Sequence, residues 1–353
     1  MLYIVLTTGR CNLRCDYCGG SFDPSLVPAR PTYDMDLLVE LVEGDPDPVV
    51  AFYGGEPLLN RPFVEGVARR LRGRAKLVLQ TNGLLVRAVS RDVLTSFDAI
   101  LMSVDGVAEV TDAHRGRGVY ARVIDSAKYL RSIGYRGDLV ARMTVTRDTD
   151  IARDVRHLLG LGLFDHVHWQ LDVVWSSRWD LETWAARSYL PGVESLADEW
   201  FSALKSGSIL GVAPFQGIIK RHYLGGPSPP CGAGSEAIAV STDGRILACP
   251  IAVSERWAEM GSLGSEIRPR EYPIREECSS CEYYRECGGR CLYSFMERLW
   301  GADGHEAVCR VTKSTIDAVI RRLPILERAV ASGAVRLEDI FYPKFNNTVE
   351  IIP

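Results

Sequence analysis

The 353-residue sequence predicts an α/β fold with a parallel sheet, followed by a smaller cysteine-rich domain. Three observations support this prediction. Short apolar, β-branched segments alternate with segments of helical periodicity in the first half of the chain, as in βαβ units. Polar motifs, two of them rich in glycine, follow the ends of successive apolar segments. Seven of the ten cysteines lie between residues 231 and 309.

Six apolar segments are predicted to be strands, and five amphipathic segments between them are predicted to be helices. The strands are residues 2–6, 48–53, 75–80, 99–104, 138–145 and 164–171. The helices are residues 35–42, 62–71, 87–97, 119–133 and 151–161. Strands that alternate with helices of this length form a parallel sheet, because each crossover helix returns the chain to the same edge.

Composition and charge exclude several classes of function. The net charge is −4 and no long basic or acidic block occurs, so a nucleic-acid-binding surface is not expected. No segment approaches the roughly 18 apolar residues of a membrane span, and the chain start lacks the features of a signal peptide. Ten cysteines without a secretion signal indicate metal binding rather than disulfides, and a cytoplasmic location in a cell poor in oxygen.

Three cysteines follow the first predicted strand within one loop, as Cys11, Cys15 and Cys18 in a C-x3-C-x2-C pattern. Three thiolates grouped in this way can bind a 4Fe–4S cluster and leave one iron without a protein ligand. A catalytic metal site keeps one position free in the same manner. The alternatives are a chance group of buried cysteines or a zinc site, but such zinc sites use paired C-x-x-C knuckles and no second pair lies near.

This loop resembles the cluster-binding loop of the radical S-adenosylmethionine (SAM) superfamily. The resemblance implies that the amino and carboxylate groups of SAM chelate the open iron. It implies that an electron from the cluster then cleaves SAM to methionine and a 5′-deoxyadenosyl radical. It also implies a partial, TIM-like (β/α)6 radical SAM barrel, in which functional residues follow the carboxyl ends of the strands. The motifs of this chain agree with that arrangement.

The second predicted strand is followed by Gly54, Gly55, Glu56 and Pro57, which resemble the GGEP motif of radical SAM proteins. The two glycines allow the backbone to approach a ligand closely, and Glu56 can accept a hydrogen bond from an ammonium group. The resemblance implies that this segment binds the amino group of SAM. Taken alone, the same four residues could form an ordinary turn.

Polar residues after the later strands complete the predicted site for SAM and substrate. By resemblance Asn82 lies near the ribose of SAM or near the substrate, and Ser103 belongs to an S-x-D-G motif of peptide-modifying relatives. Arg142 can pair with the carboxylate of SAM, since a guanidinium matches a carboxylate in shape and charge, although a structural role fits equally well. The candidate catalytic residues are Asp105, His114 and Arg115. The two residues His114 and Arg115 are predicted to lie on the same loop as Asp105.

The remaining seven cysteines form a second group. They are Cys231, Cys249, Cys278, Cys281, Cys287, Cys291 and Cys309. Their spacing resembles the SPASM domain, in which C-x9–15-G-x4-C is followed by C-x2-C-x5-C-x3-C and a last cysteine. The resemblance implies two auxiliary 4Fe–4S clusters. It assigns four residues to an outer cluster, namely Cys278, Cys281, Cys287 and Cys309, and three to an inner cluster, namely Cys231, Cys249 and Cys291. A zinc ribbon at residues 278–291 is the alternative, but it explains only four of the seven.

The inner group departs from the pattern of sulfatase-maturating relatives. Those relatives have one more cysteine a few residues after the first, whereas the residues after Cys231 carry no thiol. The inner cluster is therefore predicted to keep an open iron for a substrate thiolate, or to take an oxygen ligand such as Asp243 or Glu236. The relatives also have an aspartate as a base after the cysteine of G-x4-C. This chain has Pro250 there, which argues against formylglycine formation.

Four segments are predicted: a radical SAM barrel at 1–200, a linker at 201–230, a SPASM domain at 231–310, and C-terminal helices with a tail at 311–353. The closest resemblance is to archaeal peptide-modifying radical SAM proteins. It implies an oxidoreductase with three 4Fe–4S clusters and SAM that abstracts hydrogen from a peptide or protein. The alternatives are radical modification of a small molecule such as a tetrapyrrole side chain, and a non-catalytic iron–sulfur electron-transfer protein.

The expected partners follow from the same resemblance. No domain precedes the first strand in this sequence, so we expect the barrel itself to recognise the substrate or a separate protein to present it. An external electron donor of the flavodoxin or ferredoxin type is also expected. Neither nucleic acid nor a membrane is expected as a partner.

Overall fold

The computed structural model describes residues 1–18, 20–267, 270, 272 and 276–342 of the chain. The last part of the predicted C-terminal tail, residues 343–353, lies outside the described residues. In the part that is described, no helix is both long enough and apolar enough to cross a membrane.

Nine β-strands occur among the described residues, and the six predicted strands correspond to the first six. Their bounds are β1 Leu2–Leu6, β2 Val49–Tyr53, β3 Lys76–Thr81, β4 Ala99–Ser103, β5 Asp138–Val145, β6 His166–Leu171, β7 Ala237–Val240, β8 Arg245–Leu247 and β9 Glu259–Ser262. The observed ends of the first six differ from the predicted ends by no more than two residues. The last three strands are not part of the prediction.

The first four strands form the parallel sheet that the sequence predicts. Strand β1 pairs with β2, from Leu2 opposite Val49 to Leu6 opposite Tyr53, and β3 and β4 continue in the same direction. Strand β7 pairs in parallel with the other edge of β1, and β8 and β9 extend this side in antiparallel pairs. Because β1 to β4 are parallel, the loops that carry the first cysteines and the glycine motif leave from one edge of the sheet. The predicted α/β class is confirmed.

Fifteen α-helices occur in the described part of the chain. Their bounds are α1 Met35–Glu43, α2 Arg61–Leu71, α3 Arg91–Leu94, α4 Ala108–Arg115, α5 Val119–Ser132, α6 Ile151–Gly160, α7 Leu181–Trp184, α8 Leu190–Leu204, α9 Ala213–Leu224, α10 Glu276–Ser279, α11 Tyr284–Cys287, α12 Leu292–Glu297, α13 Gly301–Ile320, α14 Leu323–Ala331 and α15 Leu337–Ile340. Four of the five predicted helices are confirmed with small shifts at their ends, and they are α1, α2, α5 and α6.

The remaining predicted helix, residues 87–97, is wrong as one continuous helix. A 3-10 turn at Val86–Ala88 is separated from α3 by Val89, whose backbone is extended, and by Ser90, whose ψ of 136° is not helical. The backbone N–H and the hydroxyl of Ser90 both donate to the carboxylate of Glu65 on α2, at 2.9 and 3.0 Å. A neighbouring helix therefore supplies hydrogen bonds that an uninterrupted helix would have made internally.

The prediction that His114 and Arg115 lie on a loop is also wrong, because they form the last turn of α4. The chain leaves this helix through Gly116 and Gly118, which have φ of +113° and +77°. The carboxylate of Asp112 accepts hydrogen bonds from the backbone N–H groups of Gly118 and Tyr120, at 2.7 and 2.8 Å. A short helix with an ordered turn thus fixes where the two candidate residues stand.

Contacts between residues divide the chain into two units. The first consists of Met1–Val104, Thr111–Ala141 and Gly232–Pro273. The second consists of Asp105–Val110, Arg142–Cys231 and Ile274–Pro353. The predicted segments 1–200, 201–230, 231–310 and 311–353 follow the chain instead, and their boundaries remain a prediction. Helix α9 runs through much of the predicted linker.

We expect truncation of a core residue of the parallel sheet to destabilise the protein far more than truncation of an exposed leucine. Leu79 lies within β3 and its exposed fraction is 0%, so Leu79→Ala should lower the free energy of unfolding by about 2–5 kcal/mol. Leu224 is 64% exposed, and Leu224→Ala should change it by less than about 0.5 kcal/mol. Thermal unfolding under anaerobic conditions measures both, and equal melting temperatures would contradict the assignment of the core.

Candidate functional site

The loop after β2 packs directly against the chain that leads into the first cysteines. Gly55 N donates to Thr8 O at 3.1 Å, and Glu56 N donates to Arg10 O at 2.8 Å. A Cβ on Gly54 would overlap Thr8 O, and a Cβ on Gly55 would overlap Arg10 O. Gly54 also has φ of +139°, a region that favours glycine. The close approach of two backbones inside the protein therefore requires both glycines of the motif.

The three thiols of the first loop lie within electrostatic range of one another. A hydrogen bond from Cys15 is the main cause that lowers the pKa of Cys18 to about 6, and the guanidinium of Arg115 lowers it further. Burial raises the pKa of Cys11, and the charges of Glu56 and Cys18 raise it further. The loop thus brings together soft sulfur donors, and the pKa of one of them is lowered. This donor set fits the ligands that an iron–sulfur cluster requires.

Glu56 is buried, and its carboxylate accepts three hydrogen bonds from the protein. Oε1 accepts from Leu58 N at 3.0 Å and from Thr81 Oγ1 at 2.8 Å, and Oε2 accepts from Asn82 N at 2.7 Å. Burial raises the pKa of Glu56 to about 7, although the three donors act in the opposite direction. The side chain therefore links the loop after β2 to the end of β3.

Asn82 extends this link to the cysteine loop. Its Nδ2 donates to Asn12 Oδ1 at 2.7 Å, and its Oδ1 accepts from Leu84 N at 3.1 Å. Asn12 directly follows the first cysteine, so the loops after β1, β2 and β3 form one hydrogen-bonded layer. Sequence reasoning missed Asn12 and Thr81 as parts of this layer, and only their positions beside the motifs could have suggested them.

The last turn of α4 also contacts the cysteine loop. His114 Nδ1 lies 2.9 Å from Asp16 Oδ2, and the backbone N–H of Asp16 donates to His114 O at 3.3 Å. The guanidinium of Arg115 lies over the ring of Tyr17, 5.4 Å from its centroid, and Arg115 is only 8% exposed. Both candidate catalytic residues therefore touch the segment between the second and third cysteines.

Three other predicted residues have different surroundings. Asp105 is fully buried, and its Oδ1 accepts a hydrogen bond from Thr144 N of β5 at 2.8 Å. Arg142 Nη2 donates to Gln170 Oε1 of β6 at 2.9 Å. Ser103 is half-buried at the end of β4. These contacts connect the loop after β4 to β5, and β5 to β6, while the predicted roles toward SAM and substrate remain predictions.

Four cysteines of the second unit influence one another's ionisation. Burial raises the pKa of Cys278 to about 11, and the thiolates of Cys309, Cys287 and Cys281 raise it further. Burial also raises the pKa values of Cys287 and Cys309, and the charge of Arg290 opposes the rise at both. The four sulfurs therefore share one neighbourhood, and they are the four that the resemblance assigns to the outer cluster. No three His, Cys, Asp or Glu side chains in the described ranges converge as ligands of a single metal ion.

The three cysteines predicted to hold the inner cluster are divided between the units, with Cys249 in the first and Cys231 and Cys291 in the second. Cys249 is 8% exposed. Of the two predicted oxygen ligands, Asp243 forms a salt bridge with Arg245, at 2.6 Å. The other, Glu236, is exposed. This ligand set stays a prediction from the spacing.

A family model matches the part of the chain that carries the first site. The model of the Radical SAM superfamily matches residues 5–159. This range extends from β1 into α6, and it includes the first cysteine loop, the glycine motif and Asn82.

Two relatives and one solved structure are similar over most of the chain. The cysteine-type anaerobic sulfatase-maturating enzyme of Clostridium perfringens is 23% identical over 336 residues, covering 82% of this chain and 88% of the relative. The AdoMet-dependent heme synthase of Methanosarcina barkeri is 24% identical over 326 residues, covering 80% of this chain and 88% of the relative. The structure described as "Native anSMEcpe with bound AdoMet and Cp18Cys peptide" has a TM-score of 0.72 at 18% identity, covering 94% of this chain and 99% of that chain. The last likeness shows a shared fold.

We expect Glu56→Gln to lower the melting temperature by several degrees, even without SAM. An amide places an N–H group where the carboxylate accepted hydrogen bonds, and a buried donor without a partner costs about 1–3 kcal/mol. Thermal unfolding under anaerobic conditions measures the effect.

The matched control is Glu40→Gln, since Glu40 is an exposed glutamate of α1. This variant should unfold like the unchanged protein. If Glu56→Gln also keeps the original melting temperature and only weakens SAM binding, then the carboxylate serves the ligand and not the loops.

Proposed function

The chain belongs to the radical SAM superfamily, and from this membership we propose that it is an enzyme that modifies a peptide or protein. With a cluster and SAM bound, reductive cleavage of SAM supplies a 5′-deoxyadenosyl radical that takes a hydrogen atom from a C–H bond of the substrate. The substrate then loses one further electron, so the product is an oxidative modification or a cross-link. The protein's own task is to position SAM against one such bond and to exclude competing reactions.

The hydrogen-bonded layer of three loops is the observation that carries this proposal. Three sulfur donors lie in the first loop, and the second loop is bound to it through the N–H groups of Gly55 and Glu56. The third loop is bound to both through Asn82. A molecule bound at a first-loop cluster would therefore lie beside loops that a fixed set of hydrogen bonds holds together.

Each group in this layer receives a role in the proposal. Cys11, Cys15 and Cys18 would hold the SAM-binding cluster. The backbone of residues 54–57 would accept the amino group of SAM, and the Glu56 carboxylate keeps about one acceptor position beyond the three that are filled. Asn82, Ser103 and Arg142 are proposed to complete the SAM site, and Asp105, His114 and Arg115 are proposed to lie toward the substrate.

The second group of cysteines is proposed to hold two auxiliary 4Fe–4S clusters. The outer one would use the four thiols that influence one another's ionisation, and the inner one would use Cys231, Cys249 and Cys291. These centres would accept the electron that the substrate loses. An external one-electron donor of the flavodoxin or ferredoxin type would supply the first-loop cluster.

A peptide or protein is the favoured substrate class because the similar solved structure holds a peptide together with AdoMet, and its chain is covered almost completely. Formylglycine formation is not proposed, since Pro250 stands where the sulfatase-maturating relatives have an aspartate. A tetrapyrrole or another small molecule is the second candidate, and similarity to a heme synthase favours it. Membership in a superfamily of enzymes argues against a non-catalytic electron carrier.

We expect Cys15→Ala to remove about four of about 12 irons from anaerobically reconstituted protein, since each cluster holds four. This variant should form no 5′-deoxyadenosine from SAM with a chemical reductant. Iron analysis and chromatography measure the two effects.

The matched variant is Cys281→Ala, which should also lose about four irons but should still cleave SAM. SAM cleavage by Cys15→Ala would show that the first loop does not hold the cluster that cleaves SAM.

We expect deuterium to move from a peptide substrate into 5′-deoxyadenosine. Peptides encoded by short reading frames beside the gene are the candidates, each prepared with deuterated carbon positions. Mass spectrometry should find one deuterium in 5′-deoxyadenosine and a peptide product that has lost hydrogen. Transfer from a deuterated tetrapyrrole, with none from any peptide, would favour the second candidate.

A further inference from the structure

Helix α13 carries a histidine one turn before the last cysteine of the chain. His305 and Cys309 are four residues apart, so their side chains lie on the same face of the helix. His305 Nε2 lies 3.8 Å from Cys309 Sγ, a distance that suits a hydrogen bond to sulfur. The predicted outer cluster would therefore have an imidazole beside one of its four ligands.

The surrounding side chains hold this imidazole in place. The ring of Phe295 on α12 meets the His305 ring edge to face, with centroids 6.1 Å apart and an angle of 67° between the planes. Phe295 is only 7% exposed. His305 also lines a small cleft together with Trp300, whose indole N–H donates to Ser176 O at 2.7 Å. A ring that is packed on one side and bounded by an anchored tryptophan keeps a defined direction toward the sulfur.

The chemistry of a ligand thiolate decides which atom is the donor. A cysteine sulfur bound to iron has no proton, so it can only accept a hydrogen bond. The imidazole must then carry its proton on Nε2, since a ring nitrogen without a proton would face the sulfur lone pairs. A hydrogen bond to a cluster sulfur stabilises the reduced cluster more than the oxidised one, because the reduced cluster carries one more negative charge.

We propose that His305 donates a hydrogen bond to the sulfur of Cys309 and thereby raises the reduction potential of the outer cluster. His305 is a positioning residue, since it touches a ligand and not the substrate. In the step that it favours, the outer cluster gains one electron, from the substrate during turnover or from a chemical reductant in a titration. No bond is made or broken, and the proton stays on Nε2.

The cationic side chains around Cys309 act in the same direction. Burial raises the pKa of Cys309, whereas Arg290, Lys313 and Arg298 lower it, so three cations lie within range of its sulfur. Positive charge stabilises a reduced cluster in the same way as a hydrogen-bond donor. His305 adds a direct contact to this general field, and its removal leaves the cations in place.

The test uses full-length, anaerobically reconstituted protein with His305→Leu and His305→Gln. An amide N–H of glutamine can reach the place of Nε2, whereas leucine has no donor. Each variant is made in a Cys15→Ala background, so that the first-loop cluster is absent, and the auxiliary clusters are titrated with a reductant and followed by electron paramagnetic resonance. The matched control is His157→Leu on α6 of the same unit.

With His305→Leu, the reduction potential of one auxiliary cluster should fall by about 59 mV. At a fixed solution potential, this fall decreases the ratio of reduced to oxidised cluster about tenfold. The iron content should not change. His305→Gln should keep most of the original potential, and His157→Leu should keep all of it.

Three results would overturn the inference. These are unchanged potentials in His305→Leu, an equal fall in His157→Leu, and a loss of about four irons from His305→Leu, which would assign the histidine to cluster assembly. The inference rests on the proposed outer cluster. If Cys281→Ala loses no iron, both that cluster and the role of His305 fail. If the cluster is present and its reduction potential does not change in His305→Leu, only the role of His305 fails, and the proposed reaction stands.

Discussion

Three loops leave neighbouring parallel strands, and the buried carboxylate of Glu56 is the group that binds two of them together. The N–H groups of Leu58 and Asn82 lie beyond the strand ends, where the sheet offers no carbonyl partner. Each donates to a carboxylate oxygen of Glu56 instead. Burying this acid is costly, as its raised pKa shows. The three donors offset that cost, and the result is a fixed spacing between the loops. The positions of the first cysteines and of any molecule that meets them depend on that spacing.

The two groups of cysteines lie in different electrostatic surroundings. Near the first loop, the negative charge of Glu56 acts on Cys11 while the positive charge of Arg115 acts on Cys18. Around Cys309, burial and the charge of Cys281 raise the pKa of the thiol, whereas three cations on or near α12 and α13 lower it. Clusters in these two places would differ in reduction potential even with identical ligands. Cysteine ligands in these two places therefore experience different neighbouring charges.

Much of the fold is predictable from the sequence because the signals are local. The strands β1, β2 and β4 are largely buried, so they appear in the sequence as nearly uninterrupted apolar segments, and turn motifs mark where they end. The failures involve partners distant in the chain. Ser90 breaks a predicted helix because Glu65 binds it, and nothing in the residues around Ser90 reveals that. The short strand β7 becomes part of the sheet only because β1 is available beside it.

The candidate site shows the same limit. Spacing alone identifies the cysteines and the glycine motif, and the resemblance supplies their expected ligands. The structure adds a second reason for the two glycines, because they closely approach Thr8 and Arg10 of the same protein. Likewise, the sequence presents His114 and Arg115 as candidates for chemistry, but their contacts with Asp16 and Tyr17 depend on a helix that is not among the predicted ones.

The position of β1 between β2 and β7 has a consequence for biogenesis. One edge of β1 is covered by β2, with Leu2 opposite Val49, but the other edge pairs with β7, with Leu2 opposite Ala237. A ribosome needs on the order of ten seconds or more to make the chain between these partners. During that time the first strand has an open edge, which is the kind of surface that recruits other strands. The second edge of the nascent first strand therefore stays unpaired until β7 has been made.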